Sequence, residues 1–130
     1  MRPVKILTVE GQVVAEHAWV AERGLERLRG WLGKAHAQKG EGLLLNPASS
    51  IHTLGMRFNL DLAFLDDFGT VLKLRQGMKP GRIAFGPLSA WRHGRGLQAL
   101  ELPEGTLQAF DIQVGQTLSI RDRVEGKRHA

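Results

Sequence analysis

The run Leu60–Leu65, LDLAFL, limits the fold more than any other stretch of this chain. Side chains alternate along an extended strand. Asp61, Ala63 and Leu65 therefore take one face, and Leu60, Leu62 and Phe64 the other. Both faces are apolar except at Asp61, the pattern of a central strand covered on two sides. A buried carboxylate without a partner is costly. Asp61 is therefore expected either in a salt bridge, with Arg57, Arg75 or His52 as candidates, or bonded to backbone amides. A ligand-orienting acid in a pocket is the functional alternative.

The rest of the chain is read around this strand. Val4–Val9 and Gln12–Val20 form an opening hairpin across Glu10-Gly11. Ala21–Leu32 changes period: Leu25, Leu28 and Leu32 share a helix face, weakened by Gly24 and Gly30. Lys34–Gly42 reads as a loop, and Leu43–Leu45 as a short strand stopped by Asn46-Pro47. Asp66–Gly69 is a turn, and Thr70–Arg75 returns as the hairpin partner of the central strand. Gln76–Arg95 is rich in Gly and Pro and reads as a long loop with a short strand at Arg82–Phe85. Gly96–Leu102 is a strand, Pro103–Phe110 a short helix, and Thr117–Ile120 a last strand. The expected fold is mainly β: one compact domain over residues 1–121, a closed or half-closed barrel-like sheet with two short helices packed on it. Residues 122–130 are expected to form a flexible basic tail.

With no cysteine, the chain has no disulfide, no thiolate chemistry and no Cys-ligated metal. No apolar run approaches the ~18 residues of a membrane-spanning helix. The first residues lack the apolar core and cleavage site of a secretion signal, so a cytoplasmic location is expected. The net charge of +5 is unevenly placed. Between Asp67 and Glu101 there is no acidic residue, while Lys73, Arg75, Lys79, Arg82, Arg92 and Arg95 all fall there. This is either a solvated basic face or a surface for an anionic partner.

Chemically able residues concentrate in Ser49–Asp67. In an extended segment Ser50 and His52 point the same way, the start of a nucleophile–base pair. No G-x-S-x-G turn presents the serine, and bonding to loop backbone is the plainer reading. His52 and Met56 are a donor pair that suits copper, yet two ligands do not make a site, and no metal or other cofactor is expected. Glu101 shares a strand face with Leu97 and Ala99. It is a second acid among apolar neighbours, and with Asp61 it would make a hydrolase-like carboxylate pair if the two met. Trp91 within the basic stretch suggests stacking on nucleic acid, but no nucleic-acid-binding motif accompanies it, and such a partner is not expected. Glycine-rich phosphate loops are missing.

The segments ERLRGWLG, GEGLLL, SIHTLGMRFNLDLAFLD, ALELPEGT and VGQTLSI together resemble the domain-of-unknown-function 192 family, from about Val4 to Ile120. These are small, mostly bacterial and archaeal proteins with no established activity. The resemblance implies a compact β-rich domain and no substrate. Its signature positions here are Arg29, Gly30, Gly42, Ile51, His52, Thr53, Gly55, Met56, Arg57, Phe58, Asp61, Leu65, Asp66 and Glu101. Ala48 departs from the pattern, since many relatives carry cysteine there. The leading expectation is a non-enzymatic module that binds a small anionic ligand or a peptide near His52, Thr53, Met56, Arg57, Asp61 and Glu101, with Gln76–Arg95 as a lid. One alternative is a hydrolytic or metal-dependent enzyme using His52 with Asp61 or Glu101. The other is a weak nucleic-acid or anionic-surface binder through Lys73–Arg95.

Overall fold

A computed structural model describes residues 1–22, 31, 33–89 and 96–124. Nine strands are defined along their whole length. They are β1 (Arg2–Leu7), β2 (Val13–Ala21), β3 (Glu41–Leu45), β4 (Ser50–His52), β5 (Leu60–Leu65), β6 (Val71–Met78), β7 (Ile83–Phe85), β8 (Gln98–Pro103) and β9 (Ser119–Asp122). The chain is mainly β, as its short apolar runs and frequent turn residues predict.

Seven strands form one mixed sheet in the order β6-β5-β8-β3-β2-β1-β9. β5 lies between β6 and β8, and all six of its residues are buried. The two-sided apolar pattern of LDLAFL produces this interior position. β2 and β3 pair in parallel, with His17 opposite Glu41 and Ala21 opposite Leu45. Parallel neighbours cannot be joined by a tight hairpin turn and need a longer crossover connection. β4 and β7 form a separate two-stranded ribbon.

The core divides by face, as alternation requires. Ala63, Leu65, Leu44, Leu100 and Leu102 join Val4, Ile6, Val14, Leu107, Ile112 and Leu118 in one cluster. Leu60, Leu62, Phe64, Leu43, Leu45 and Ala99 point the other way and join Trp31, Ala48, Ile51, Met78 and Ala84. Ile51 and Ala84 are the inward residues of β4 and β7, so the ribbon covers this second face. Each fully buried Leu or Phe contributes roughly 1.5–3 kcal/mol.

Two expectations need correcting. The sheet is not a closed barrel, because β6 and β9 are not paired. They approach only at one end, where Thr70 bridges Thr117 and the amide of Leu118 donates to Gly69 O at 2.9 Å. One short helix, not two, is defined along its whole length: α1 (Thr106–Ala109), inside the span predicted helical. Of the other predicted helix, Ala21 belongs to β2, while residues 23–30 and 32 lie outside the described residues. Ala21 pairs with Leu45, and β-ladder pairing overrides the helical pattern there. At the C-terminal end Asp122 completes β9. Arg123 donates from its backbone to Pro3 O and from its guanidinium to Ala18 O, and it lies 5.0 Å from the Trp19 ring.

The turn before β6 sets the approach of the two edges. Asp66 Oδ1 accepts the amides of Phe68 and Thr70, each at 2.9 Å, the local bonding typical of Asp in turns. Gly69 follows at φ 86°, and a Cβ there would stand 2.3 Å from Leu118 O. Gly69→Ala is therefore expected to destabilise the protein by about 2 kcal/mol or more, from left-handed strain plus loss of the edge contact. Urea unfolding of the two proteins measures this. Equal midpoints would show that the edge contact contributes nothing.

Candidate functional site

Asp61 points to the face shared with Leu102, its register partner on β8. It is 1% exposed. Among the described residues none forms an ion pair with it, the candidates Arg57, Arg75 and His52 included, so the salt-bridge expectation gives way to the backbone one. Oδ1 accepts the amide of Gly77 at 2.9 Å, and Oδ2 accepts those of Gly105 and Leu107, both at 3.0 Å. Charge-assisted bonds of this kind are among the stronger hydrogen bonds in proteins. One side chain thus ties β5 to the end of β6 and to the start of α1. Its oxygens are committed inward, so Asp61 is not a ligand-orienting acid in an open pocket.

Thr53 is fully buried. Its hydroxyl donates to Lys79 O at 2.7 Å and accepts the amide of Arg82 at 3.0 Å. Its backbone N–H donates to Arg82 O, and its carbonyl accepts from Gly81 and Met56. It is a clamp between the end of β4 and the turn before β7. Met56 and Phe58 are half-buried and pack on the second core face. His52 and Arg57 are exposed, and their side chains make no hydrogen bond or ion pair with any described residue. The six residues grouped by the sequence reading thus divide into an interior set and an exposed set.

Glu101 belongs to the interior set but faces the opposite way from Asp61. It lies opposite Leu62 on β5 and Leu43 on β3, so its side chain enters the second face. A carboxylate pair with Asp61 is therefore ruled out by a layer of backbone. Glu101 is 5% exposed, and its Oε1 accepts the indole N–H of Trp31 at 2.9 Å. Trp31, not singled out from the sequence, also meets Phe58 edge-on at 5.7 Å. Burial raises the Glu101 carboxyl to about 7, against a smaller lowering by the Trp31 bond. Neither acid bonds to His52, so no His–carboxylate pair is formed. Among the described residues no three of His, Asp and Glu gather as a metal-ligand set.

The exposed set meets the basic patch at the ribbon. Ser50 and His52 point outward from β4, as expected for residues two apart. Across from them stand Phe85 and Ile83 of β7, each 56% exposed. Lys73 Nζ donates to Phe85 O at 2.7 Å and Arg75 Nη1 to Ile83 O at 3.4 Å, so both cations lie along the β7 edge. Lys79 and Arg82 hold the turn into β7 through Thr53. Lys73 and Arg75 therefore bring their cations to β7, Lys79 and Arg82 lie in the segment that leads into it, and Arg92 and Arg95 lie outside the described residues. The exposed Ile83 and Phe85 were missed, although strict alternation in Ile-Ala-Phe was a signal for one outward face.

Removing the Asp61 carboxylate would leave three amides without acceptors. Asp61→Ala is expected to cost more than about 3 kcal/mol in urea unfolding; a loss below 1 kcal/mol would contradict the assigned role. Glu101 makes stability depend on pH. Its folded value of about 7 lies above the ordinary 4.5, so the folded state holds the proton longer. Stability should fall as pH rises from about 4.5 to about 7 and level off above, a total change on the order of 3 kcal/mol. Glu101→Gln should flatten this slope in pH-dependent unfolding, and an unchanged slope would assign it to another group.

Three comparisons place the chain. The family model DUF192, described as "Uncharacterized ACR", matches residues 5–120. No curated protein matches. A Sinorhizobium meliloti 1021 protein described as a candidate transcription regulator is similar in fold, with a TM-score of 0.71, 17% identity and 92% of each chain covered. A protein of unknown function from Novosphingobium aromaticivorans DSM 12444 also has a TM-score of 0.71, at 18% identity, covering 90% of this chain and 83% of that one. At these identities the two structures speak for the fold alone. The family match spans nearly the whole chain and includes the SIHTLGMRFNLDLAFLD segment, and the protein belongs to the DUF192 family.

Proposed function

We propose that the protein is a non-enzymatic binding module, and that its binding face is the outer surface of the β4–β7 ribbon. The observation that carries this reading is the pairing of two exposed apolar side chains, Ile83 and Phe85, with the exposed Ser50 and His52, inside a group of cations. Exposed large apolar residues gathered on one strand are a common feature of interaction sites. Lys73, Arg75, Lys79 and Arg82 favour an anionic partner, and Arg57 adds an exposed guanidinium suited to a carboxylate or phosphate. An acidic peptide with apolar residues matches both features better than a bare anion does. Thr53 and Glu101 support the face from within, Asp61 lies on the opposite face of the sheet, and none of the three touches the ligand.

The test is an amide-shift titration of isotope-labelled protein with a short peptide alternating Glu and Leu, beside inorganic phosphate. The peptide should shift His52, Arg57, Ile83 and Phe85 saturably, more strongly than phosphate does. Arg57→Ala should weaken binding about tenfold with an unchanged unfolding midpoint. Affinity should fall as salt is raised, since exposed charges are screened. Shifts elsewhere, or none at millimolar peptide, would overturn the reading.

A further inference from the structure

The two edges of the β4–β7 ribbon are finished differently. The amide of Thr53 donates to Arg82 O and that of Gly86 to Ser49 O, so Thr53–Arg82 and Ser49–Gly86 are hydrogen-bonded pairs at the two ends of the ladder. Bonded and non-bonded pairs alternate along an antiparallel ladder. The register sets Ser50 opposite Phe85, Ile51 opposite Ala84 and His52 opposite Ile83, so the bonded pair inside the ribbon is Ile51–Ala84. Ser50, His52, Ile83 and Phe85 turn their main-chain groups outward, toward the edges. On the β7 edge the carbonyls are taken: Lys73 Nζ donates to Phe85 O at 2.7 Å and Arg75 Nη1 to Ile83 O at 3.4 Å. On the β4 edge the N–H and C=O groups of Ser50 and His52 bond to no described residue, and both residues are exposed. Unpaired edge groups of this kind are a template for another chain.

We propose that an extended acidic peptide adds to the β4 edge as a third, antiparallel strand of the ribbon, bonded to the main-chain groups of Ser50 and His52. This rests on the reading of the ribbon as the binding face and supplies the way in which the peptide is held. In antiparallel addition one peptide residue exchanges both of its bonds with Ser50 and another does so with His52, which uses every free group on the edge. Alternation then sorts the peptide's side chains. Those opposite Ser50 and His52 lie on the outer face, in line with the exposed Phe85 and Ile83 across the ribbon. The side chain between them, opposite Ile51, turns toward the core as Ile51 does. An apolar residue between two acids meets both demands. The acids follow from the field around the ribbon. Ser49–Leu60 and Phe68–Leu100 hold no Asp or Glu, so the segments that build the ribbon carry only basic charges. A surface of one sign draws in partners of the other.

Acetylated, amidated Glu-Leu-Glu-Leu-Glu is titrated into isotope-labelled protein beside two versions of itself, one N-methylated at the Glu amides and one at the Leu amides. In the proposed pairing the Glu N–H groups face β4 and the Leu N–H groups face away from it. The parent peptide is expected to slow hydrogen exchange of the Ser50 and His52 amides by about tenfold or more. Methylation at Glu should weaken binding by about tenfold or more, as the loss of these hydrogen bonds implies, and methylation at Leu by less than about threefold. No binding of the parent peptide would overturn the ribbon reading and the added strand with it. Saturable binding that leaves the Ser50 and His52 amides unprotected, or equal binding of the Glu-methylated peptide, would overturn strand addition alone. Protection of these amides that grows with protein concentration in the absence of peptide would give the edge to a second copy of the chain and overturn the proposal.

Discussion

The three hydrogen bonds of the Asp61 carboxylate are the constraint on which the rest of this fold depends. A central strand buried on both faces is stabilised by its apolar side chains, and an acid in it is tolerated only with full compensation. Here the compensation comes from backbone amides that are distant in sequence. Gly77 ends the irregular part of β6, and Gly105 and Leu107 start α1. Both segments would otherwise have unpaired donors near the core. The acid and the amides therefore solve one another's problem, and the meeting point fixes where β6 and α1 sit relative to β5.

Thr53 and Glu101 repeat this arrangement on a smaller scale. Thr53 satisfies both its hydroxyl and its backbone within the turn that leads to β7. Glu101 holds Trp31 over the second core face. Together they position the ribbon layer, whose inward side is Ile51 and Ala84 and whose outward side is Ser50, His52, Ile83 and Phe85. The polar residues of the family segment are thus a supporting frame with two exposed members, His52 and Arg57. Catalysis by His52 with either acid finds no geometric support, since the two carboxylates occupy opposite faces and are bonded elsewhere. No helix among the described residues is long and apolar enough to cross a membrane.

Much of the sheet was legible in the sequence because period-2 patterning is local. Leu60–Leu65 matched its predicted span, and the Asp66–Gly69 turn carried its own chemistry. The parallel pairing of β2 with β3 was not legible, because it depends on a return path and not on either strand's residues. The ribbon was half visible: β7 was expected, but β4 and β7 are three residues each and lie about thirty apart in sequence. The partners of Asp61 were invisible for a simpler reason. Bonding to backbone amides was one of the two expectations for Asp61, but amides carry no residue identity, so Gly77, Gly105 and Leu107 could not be picked out beforehand. Arg123 falls in the stretch expected to be a flexible basic tail, yet its guanidinium lies over the Trp19 ring and bonds the carbonyls of Val4 and Ala18.

The account's central claim is that Asp61 welds three segments into one cooperative unit. Native-state hydrogen exchange tests it most directly, because amides in turns normally exchange by local opening. The amides of Gly77, Gly105 and Leu107 should exchange as slowly as those of β5 and β8, through global unfolding, and should respond together to added denaturant. Fast exchange of these three amides, at rates unrelated to one another and to the core strands, would contradict the claim.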